Sequence, residues 1–345
     1  MTGYSQVNIL FFSGTGNAFS AASWFKEKAL EYSRKVTLQS IENKITDFEL
    51  PTQERTLFVF TYPTHGFAPP WIMLKFMLRF CFKGPADVAF INTQAGSKLW
   101  KFYFPGMSGI ALWLPMLIFR LKGFRLKGAL PLDMPHSWIS FFPPNPKSDN
   151  LKIADRCKRI VEKMSDKILS GKKYFRYTLW LHLWFDIPVA IIAPAYLFIG
   201  RFFLAKTLYP SYACNSCRIC EKSCPVHAIV IQNDRPYWKY NCESCMRCMN
   251  ICPQKSIQSW VTRIGIIIYF LTLIFVSFVK IDIWLASQIV LVLIFPLYWI
   301  FIHVLRVKFV NYLFTYTSLT RYWGRYFARG VKIKDLQSRE LNNIP

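Results

Sequence analysis

Cys214-Asn215-Ser216-Cys217-Arg218-Ile219-Cys220-Glu221-Lys222-Ser223-Cys224-Pro225 returns 28 residues later as Cys242-Glu243-Ser244-Cys245-Met246-Arg247-Cys248-Met249-Asn250-Ile251-Cys252-Pro253. Two-residue gaps let one tight loop aim three thiolates at one cube of iron and sulfide. The longer gap and the proline turn the fourth thiolate toward a second cube. The spacing therefore assigns Cys214, Cys217, Cys220 and Cys252 to one [4Fe–4S] cluster, and Cys242, Cys245, Cys248 and Cys224 to another. Zinc knuckles or disulfides are the competing use of such cysteines. Zinc takes four ligands from two Cys-x2-Cys units, which leaves the third and fourth cysteine of each copy without a role.

The chain has 345 residues, enough for two or three domains. Of its ten cysteines, eight fall in these motifs, which need reduced thiolates. Cys81 and Cys157 lie in helix-like stretches and are expected to be packed thiols. Residues 1–6 carry no basic segment followed by an apolar one, so no cleaved signal is expected and the redox modules should face the cytoplasm. A net charge of +24 coexists with 53% hydrophobic and 17% aromatic residues. Such a basic excess suits nucleic-acid phosphates or anionic lipid headgroups. The apolar segments considered below decide for lipid, and nucleic acid is excluded as an expected partner.

Upstream, short apolar runs alternate with helical patterns. Val7 to Phe12, Leu57 to Tyr62, Ala86 to Asn92 and Gly128 to Leu132 read as buried strands, and Val36 to Ser40 as a weaker edge strand. Helices are expected from the loop at 13–17 to Tyr32, at Trp71 to Phe82, within Lys98 to Phe119 and at Asn150 to Ser170. This alternation predicts an α/β fold with a doubly wound parallel sheet. Ligands of such sheets sit beyond the carboxyl ends of the strands, at the switch point beside the first strand. Three loops are expected there: Ser13-Gly14-Thr15-Gly16-Asn17, Pro63-Thr64-His65-Gly66 after Tyr62, and Thr93-Gln94-Ala95-Gly96-Ser97. The first offers hydroxyls, glycines and N–H groups at a helix start, which suits a phosphate. It is neither a dinucleotide fingerprint nor a nucleotide-triphosphate loop.

With Phe12 to Asn17 and the two cysteine quartets together, residues 5–257 resemble bacterial and archaeal fusions of a flavodoxin-like domain to a two-cluster ferredoxin. The resemblance implies FMN, with Ser13, Thr15, Gly16 and Asn17 at its phosphate. Its ring would lie between the 62–66 and 93–97 loops, and Tyr62, Phe67 and Trp100 are candidates to stack on it. Many flavodoxins carry a second hydroxyl residue directly after the Asn. This chain has Ala18, and Ser20 is the candidate substitute.

Ile264 to Val279 and Ile283 to Leu305 are apolar runs joined by Lys280-Ile281-Asp282. They reach about 24 and about 35 Å as helices, against a hydrocarbon core of about 30 Å. A transmembrane hairpin is expected, with Trp260 and Lys280 at the ends of its first helix. Arg263 before it and Arg306, Lys308, Arg321, Arg325 and Arg329 after it place both ends in the cytoplasm. Leu179 to Gly200 is also apolar but contains His182, Asp186, Pro188 and Pro194. Lys172, Lys173, Arg176, Arg201 and Lys206 flank both its ends, which argues for a re-entrant or interfacial segment. Asp186 is expected on its surface, with a proton or quinone site for Asp186 and His182 as the alternative. Gly109 to Phe119, followed by Arg120, Lys122, Arg125 and Lys127, is expected to be core or a lipid-docking patch. Val307 to Tyr326 is expected to lie along a surface.

The expected domains are 1–176, flavodoxin-like; 177–208, apolar connector; 209–259, ferredoxin; 260–305, membrane hairpin; and 306–345, basic tail. The expected function is electron transfer between FMN and two [4Fe–4S] clusters at the cytoplasmic membrane, with a redox protein or complex as partner. A reductase acting on quinone or another small molecule is the enzyme alternative. A ferredoxin beside an empty flavodoxin-like scaffold is the third. No hydrolytic constellation is present, and His65 and His136 are expected to be hydrogen-bonding residues.

Overall fold

Apolar, β-branched and aromatic runs with no face left for solvent form the first domain's strands. The computed structural model describes residues 4–33, 35–42, 55–82, 86–99, 102–181, 183–278 and 282–337. Strands β1 (Gln6–Phe11), β2 (Lys35–Ser40), β3 (Thr56–Pro63), β4 (Ala86–Leu99), β5 (Arg125–Pro135) and β6 (Tyr174–Phe175) form one sheet in the order β2-β1-β3-β4-β5-β6. All these pairs are parallel. The first five strands have the flavodoxin-like 2-1-3-4-5 order, whose switch point lies between β1 and β3.

Helices α1 (Asn17–Tyr32) and α4 (Lys147–Leu169) cover one face, where Phe25, Val161, Met164 and Ile168 pack on Val7, Ile9 and Leu130. Helices α2 (Trp71–Arg79) and α3 (Trp113–Leu121) cover the other. There Phe60 and Phe119 have ring centroids 4.8 Å apart in an aromatic core that also holds Phe58, Phe80 and Phe90. Pro115, Met116 and Phe119 of α3 are buried while Leu117 and Leu121 are exposed, so the 109–119 stretch is chiefly core.

Two expectations about this domain need correction. Residues 93–96 are not a loop: β4 runs on to Leu99, pairs Thr93 to Gly96 with Leu132 to Pro135, and folds back on Phe102–Phe104. The extra length comes from β5, which continues three residues past the expected end and supplies backbone partners. Cys81 is exposed rather than packed, because α2 ends at Arg79 and the chain leaves in extended form. Cys157 is buried as expected, its thiol donating to Asp133 O at 3.1 Å.

The ferredoxin-like part is built from two antiparallel strand pairs, Ile229–Gln232 with Arg235–Trp238 and Leu208–Pro210 with Ile257–Ser259. Short helices Ile219–Lys222 and Arg247–Ile251 follow corresponding cysteines of the two repeats.

Among the described residues, one helical run, Asp186–Ala205, is 20 residues long and apolar enough to cross a membrane. Ala193 and Leu197 on its inner side are buried, whereas Ile187, Ile191 and Phe198 on its outer side are exposed. Asp186 is buried rather than surface-facing. Its Oδ1 accepts from Ser108 N at 3.1 Å and Gly109 N at 2.8 Å, and its Oδ2 from the Ser108 hydroxyl at 3.1 Å. A carboxylate that satisfies two buried N–H groups fixes the segment to the flavodoxin-like domain. His182 and Trp100 lie outside the described residues, as does the 279–281 connection of the hairpin. The hairpin helices themselves are Val261–Phe278 and Ile283–Val304, the second capped by Asp282.

The tail departs from its expected course. Helices Lys308–Tyr316 and Leu319–Tyr322 start it, but Tyr326 and Ala328 then reach the 13–17 loop, and Leu336 is buried with the α1 core.

Candidate functional site

Thiolate quartets around iron need loops that bend sharply and turn N–H groups inward, a geometry that left-handed residues provide. Ser216, Arg218 and His227 have φ of 56°, 58° and 50°. Their counterparts 28 residues on, Ser244, Met246 and Lys255, have φ of 50°, 59° and 47°. Each such non-glycine residue costs about 1 kcal/mol or more, and the same strain recurs at matching places in both repeats. Some N–H groups already point at sulfur: Ala228 N donates to Cys224 Sγ at 3.2 Å and Ser244 N to Cys242 Sγ at 3.4 Å.

The chain encloses a cavity beside each repeat. One is lined by Cys214, Cys217, Cys220 and Cys252, the other by Cys224, Cys242, Cys245 and Cys248. The first cavity is outer, with Cys217 exposed and its three companions half-buried. The second is inner, with Cys224, Cys242 and Cys248 buried. Burial and neighbouring thiols push Cys220 and Cys245 up to about 12, and a coordinated metal is what would hold them as thiolates. The donor set, the cavities and the loop geometry fit [4Fe–4S] ligation.

The inner quartet sits against the rim of the sheet. A Cβ on Gly14 would overlap the Cys245 carbonyl oxygen, and one on Gly16, at φ 97°, would meet Ala328 at 2.8 Å. Glu243 accepts from Trp71 N at 2.9 Å, so a residue between two inner cysteines caps α2. Burial raises its carboxyl to about 7, against the pull of the α2 N–H groups and nearby Arg201 and Lys75. Asn250 Nδ2 donates to Ser137 O at 3.2 Å, and Asn250 Oδ1 accepts from Tyr326 N at 2.7 Å. Sequence reading missed Glu243, Arg247, Asn250 and Tyr326. Glu243, Arg247 and Asn250 were marked only by polarity inside the cysteine loops, and Tyr326, in the tail, by nothing local.

The 13–17 loop itself fits an anion. Helix α1 begins at Asn17 behind Gly16, its start is buried, and no side chain caps it. A buried helix start without a cap is a ready phosphate site. Ser13 Oγ accepts from Gly16 N at 3.0 Å. Asn17 is engaged on both sides, donating to Pro135 O at 2.8 Å and accepting from Tyr326 Oη at 2.6 Å. Ser20 Oγ donates to Gly16 O at 3.1 Å. Along the ends of β3, β4 and β5, His65 Nδ1, Gln94 Oε1, His136 Nε2 and Ser140 Oγ are buried without partners among the described residues, which suits a polar ligand on this rim.

The proposed ring positions are different. Tyr62 is fully buried in the aromatic core and donates to Ala111 O at 2.9 Å. Thr64 N donates to Thr93 O at 2.8 Å, which joins the two strand ends directly. The Tyr196 ring fills the space a Cβ of Gly66 would need. Phe67, at φ 66°, packs with Ala68, Leu74 and Leu197.

Burial holds the His65 imidazole down to about 4 from its ordinary 6.5. Because the folded value is the lower one, the neutral ring's contribution to stability is complete above 6.5 and is lost as pH falls toward 4. The thermal midpoint should therefore decline over this interval, and His65→Gln should make the decline shallower. Scans of both proteins at pH 7, 6, 5 and 4 check this.

Residues 213–257 match the 4Fe-4S dicluster domain family. No curated protein matches the chain. Solved structures similar to it include a flavodoxin from the domain Archaea, at 14% identity and TM-score 0.27, covering 47% of this chain and 98% of that one. A short-chain flavodoxin associated with a PDU bacterial microcompartment matches at 15% identity and TM-score 0.27, covering 46% and 98%. A flavodiiron core from Synechocystis matches at 15% and 0.25, covering 48% and 37%. Residues 213–257 are thus similar to 4Fe-4S dicluster domains, and they follow a parallel sheet of flavodoxin-like strand order.

Proposed function

We propose that this protein is a membrane-associated electron carrier that holds FMN on the sheet rim and [4Fe–4S] clusters in the inner and outer quartets. The observation that carries the reading is the seating of the inner quartet on the 13–17 loop, Cys245 against Gly14. When bound, FMN exchanges one or two electrons and each cluster one, so such a chain joins two-electron to one-electron chemistry. The loop's helix start would hold the phosphate, with Thr15 and the N–H groups around it as donors. The buried cysteines of the inner quartet keep water from that site, and the exposed Cys217 gives the outer quartet an approach for a redox partner.

The membrane part of the reading rests on apolar surface. Trp184 is 82% exposed, Ile191 78% and Phe278 83%. Faces of this kind suit lipid. Basic residues on both flanks favour the cytoplasmic leaflet, and the Asp186 anchor keeps the interfacial helix on the same side as the flavodoxin-like domain.

Two observations favour the empty-scaffold reading: Tyr196 fills the space beside Gly66, and the Asn17 amide is already paired. The test separates the two. The double variant Thr15→Trp/Asn17→Trp should release flavin and leave iron unchanged. Wild-type protein that carries no flavin and binds none when FMN is added supports the scaffold. Flotation with phosphatidylglycerol vesicles should carry the wild type upward, and pelleting without lipid would contradict membrane docking.

A further inference from the structure

A single side chain of the ferredoxin-like part grips the 13–17 loop from behind. Arg247 is 1% exposed and lies in sequence between the inner-quartet residues Cys245 and Cys248. Its Nε donates to Gly14 O at 3.1 Å and its Nη2 to Ser13 O at 2.6 Å. Its Nη1 donates to Ser223 O at 2.9 Å and to Glu42 Oε2 at 2.7 Å, and Nη2 also faces Glu42 Oε1. All five guanidinium donors are thereby used. Ser223 directly precedes Cys224, so the same group touches a neighbour of a third inner ligand.

The two loop carbonyls matter because of what lies at the other end of their peptides. The carbonyl of Ser13 shares a planar trans unit with the N–H of Gly14, and that of Gly14 with the N–H of Thr15. In such a unit N–H and C=O point opposite ways. A buried cation on the oxygen polarises the peptide and makes its N–H a stronger donor on the far side. Glu42 keeps the arginine aligned without covering the carbonyls. Gly14 cannot carry a side chain here, because its backbone lies against Cys245.

We propose that Arg247 is a positioning residue that strengthens the 13–17 anion site through its peptides and couples occupation of that site to the inner cysteine quartet. The proposal rests on the flavin reading above and adds to it a named link between the two cofactor sites. Linkage makes the coupling reciprocal: whatever phosphate binding does to the inner cluster's reduction equilibrium, reduction does to phosphate affinity.

The test uses the full chain, with FMN and riboflavin as probes, the second lacking the phosphate. Loss of a charge-assisted contact behind the loop should weaken FMN binding about 10- to 100-fold in Arg247→Gln, with riboflavin binding unchanged. In wild type, added FMN should shift the inner cluster's midpoint in an EPR-monitored titration, and in Arg247→Gln it should not. The inner signal is identified as the one Cys252→Ala keeps. Arg247→Lys, which retains the charge with fewer contacts, should fall between the two, and it carries the test if Arg247→Gln fails to assemble iron. Equal FMN affinity in wild type and the arginine variants, or an FMN-induced midpoint shift that survives them, overturns the proposal. A wild type that binds neither probe overturns the flavin reading instead.

Discussion

Cys252→Ala removes the outer cluster although Cys252 lies in the second repeat, and Cys224→Ala removes the inner cluster although it lies in the first. The expectation follows from the cavity walls, which gather Cys252 with Cys214, Cys217 and Cys220, and Cys224 with Cys242, Cys245 and Cys248. A cube that loses one of four thiolates loses an iron ligand, so each variant should retain about half the iron. The variants should also differ in kind. Loss of the inner cluster should loosen the seating of Cys245 on Gly14, whereas loss of the outer one leaves that contact intact. Anaerobic iron analysis with EPR reads both effects. Loss of the cluster nearest in sequence in each variant would refute the crossed grouping.

Gly14→Val should separate the two redox parts. A Cβ at this position would overlap a backbone oxygen, Cys245 O, which cannot rotate away as a flexible side chain would. Overpacking commonly costs about 1–3 kcal/mol. Here it acts at the interface, so the inner quartet should lift from the loop while the sheet remains folded. Expected results are loss of bound flavin, inner-site iron that is released readily to a chelator, and faster proteolysis between residues 205 and 213. Gly123→Ala is the control, since nothing lies within 4 Å of its Cβ and only its φ of 84° opposes the change. Normal flavin retention in Gly14→Val would show that the loop and the quartet do not share this contact.

Periodicity carried most of the fold. Runs such as Leu57 to Tyr62 are too short and too apolar for anything but buried strands, and the alternation with helices dictated a parallel sheet. Strand ends were less legible because pairing sets them. Thr93 to Gly96 look like a turn but become strand once β5 supplies partners through Pro135. The cysteine spacing showed the quartets because covalent reach limits ligand order. Contacts between distant segments left no local trace: Asp186 on the 108–109 turn, Arg247 on Ser13 and Gly14, and Tyr326 on Asn17. The sequence also offered Tyr62 as a stacking residue, and only packing showed that its ring belongs to the core.

The central claim is that a flavin rim and two clusters share one docked body. Protein purified anaerobically should contain one FMN and iron for two [4Fe–4S] clusters per chain, and its reduced EPR spectrum should show two cluster signals. Iron for two clusters without flavin, unchanged after incubation with FMN, would contradict it.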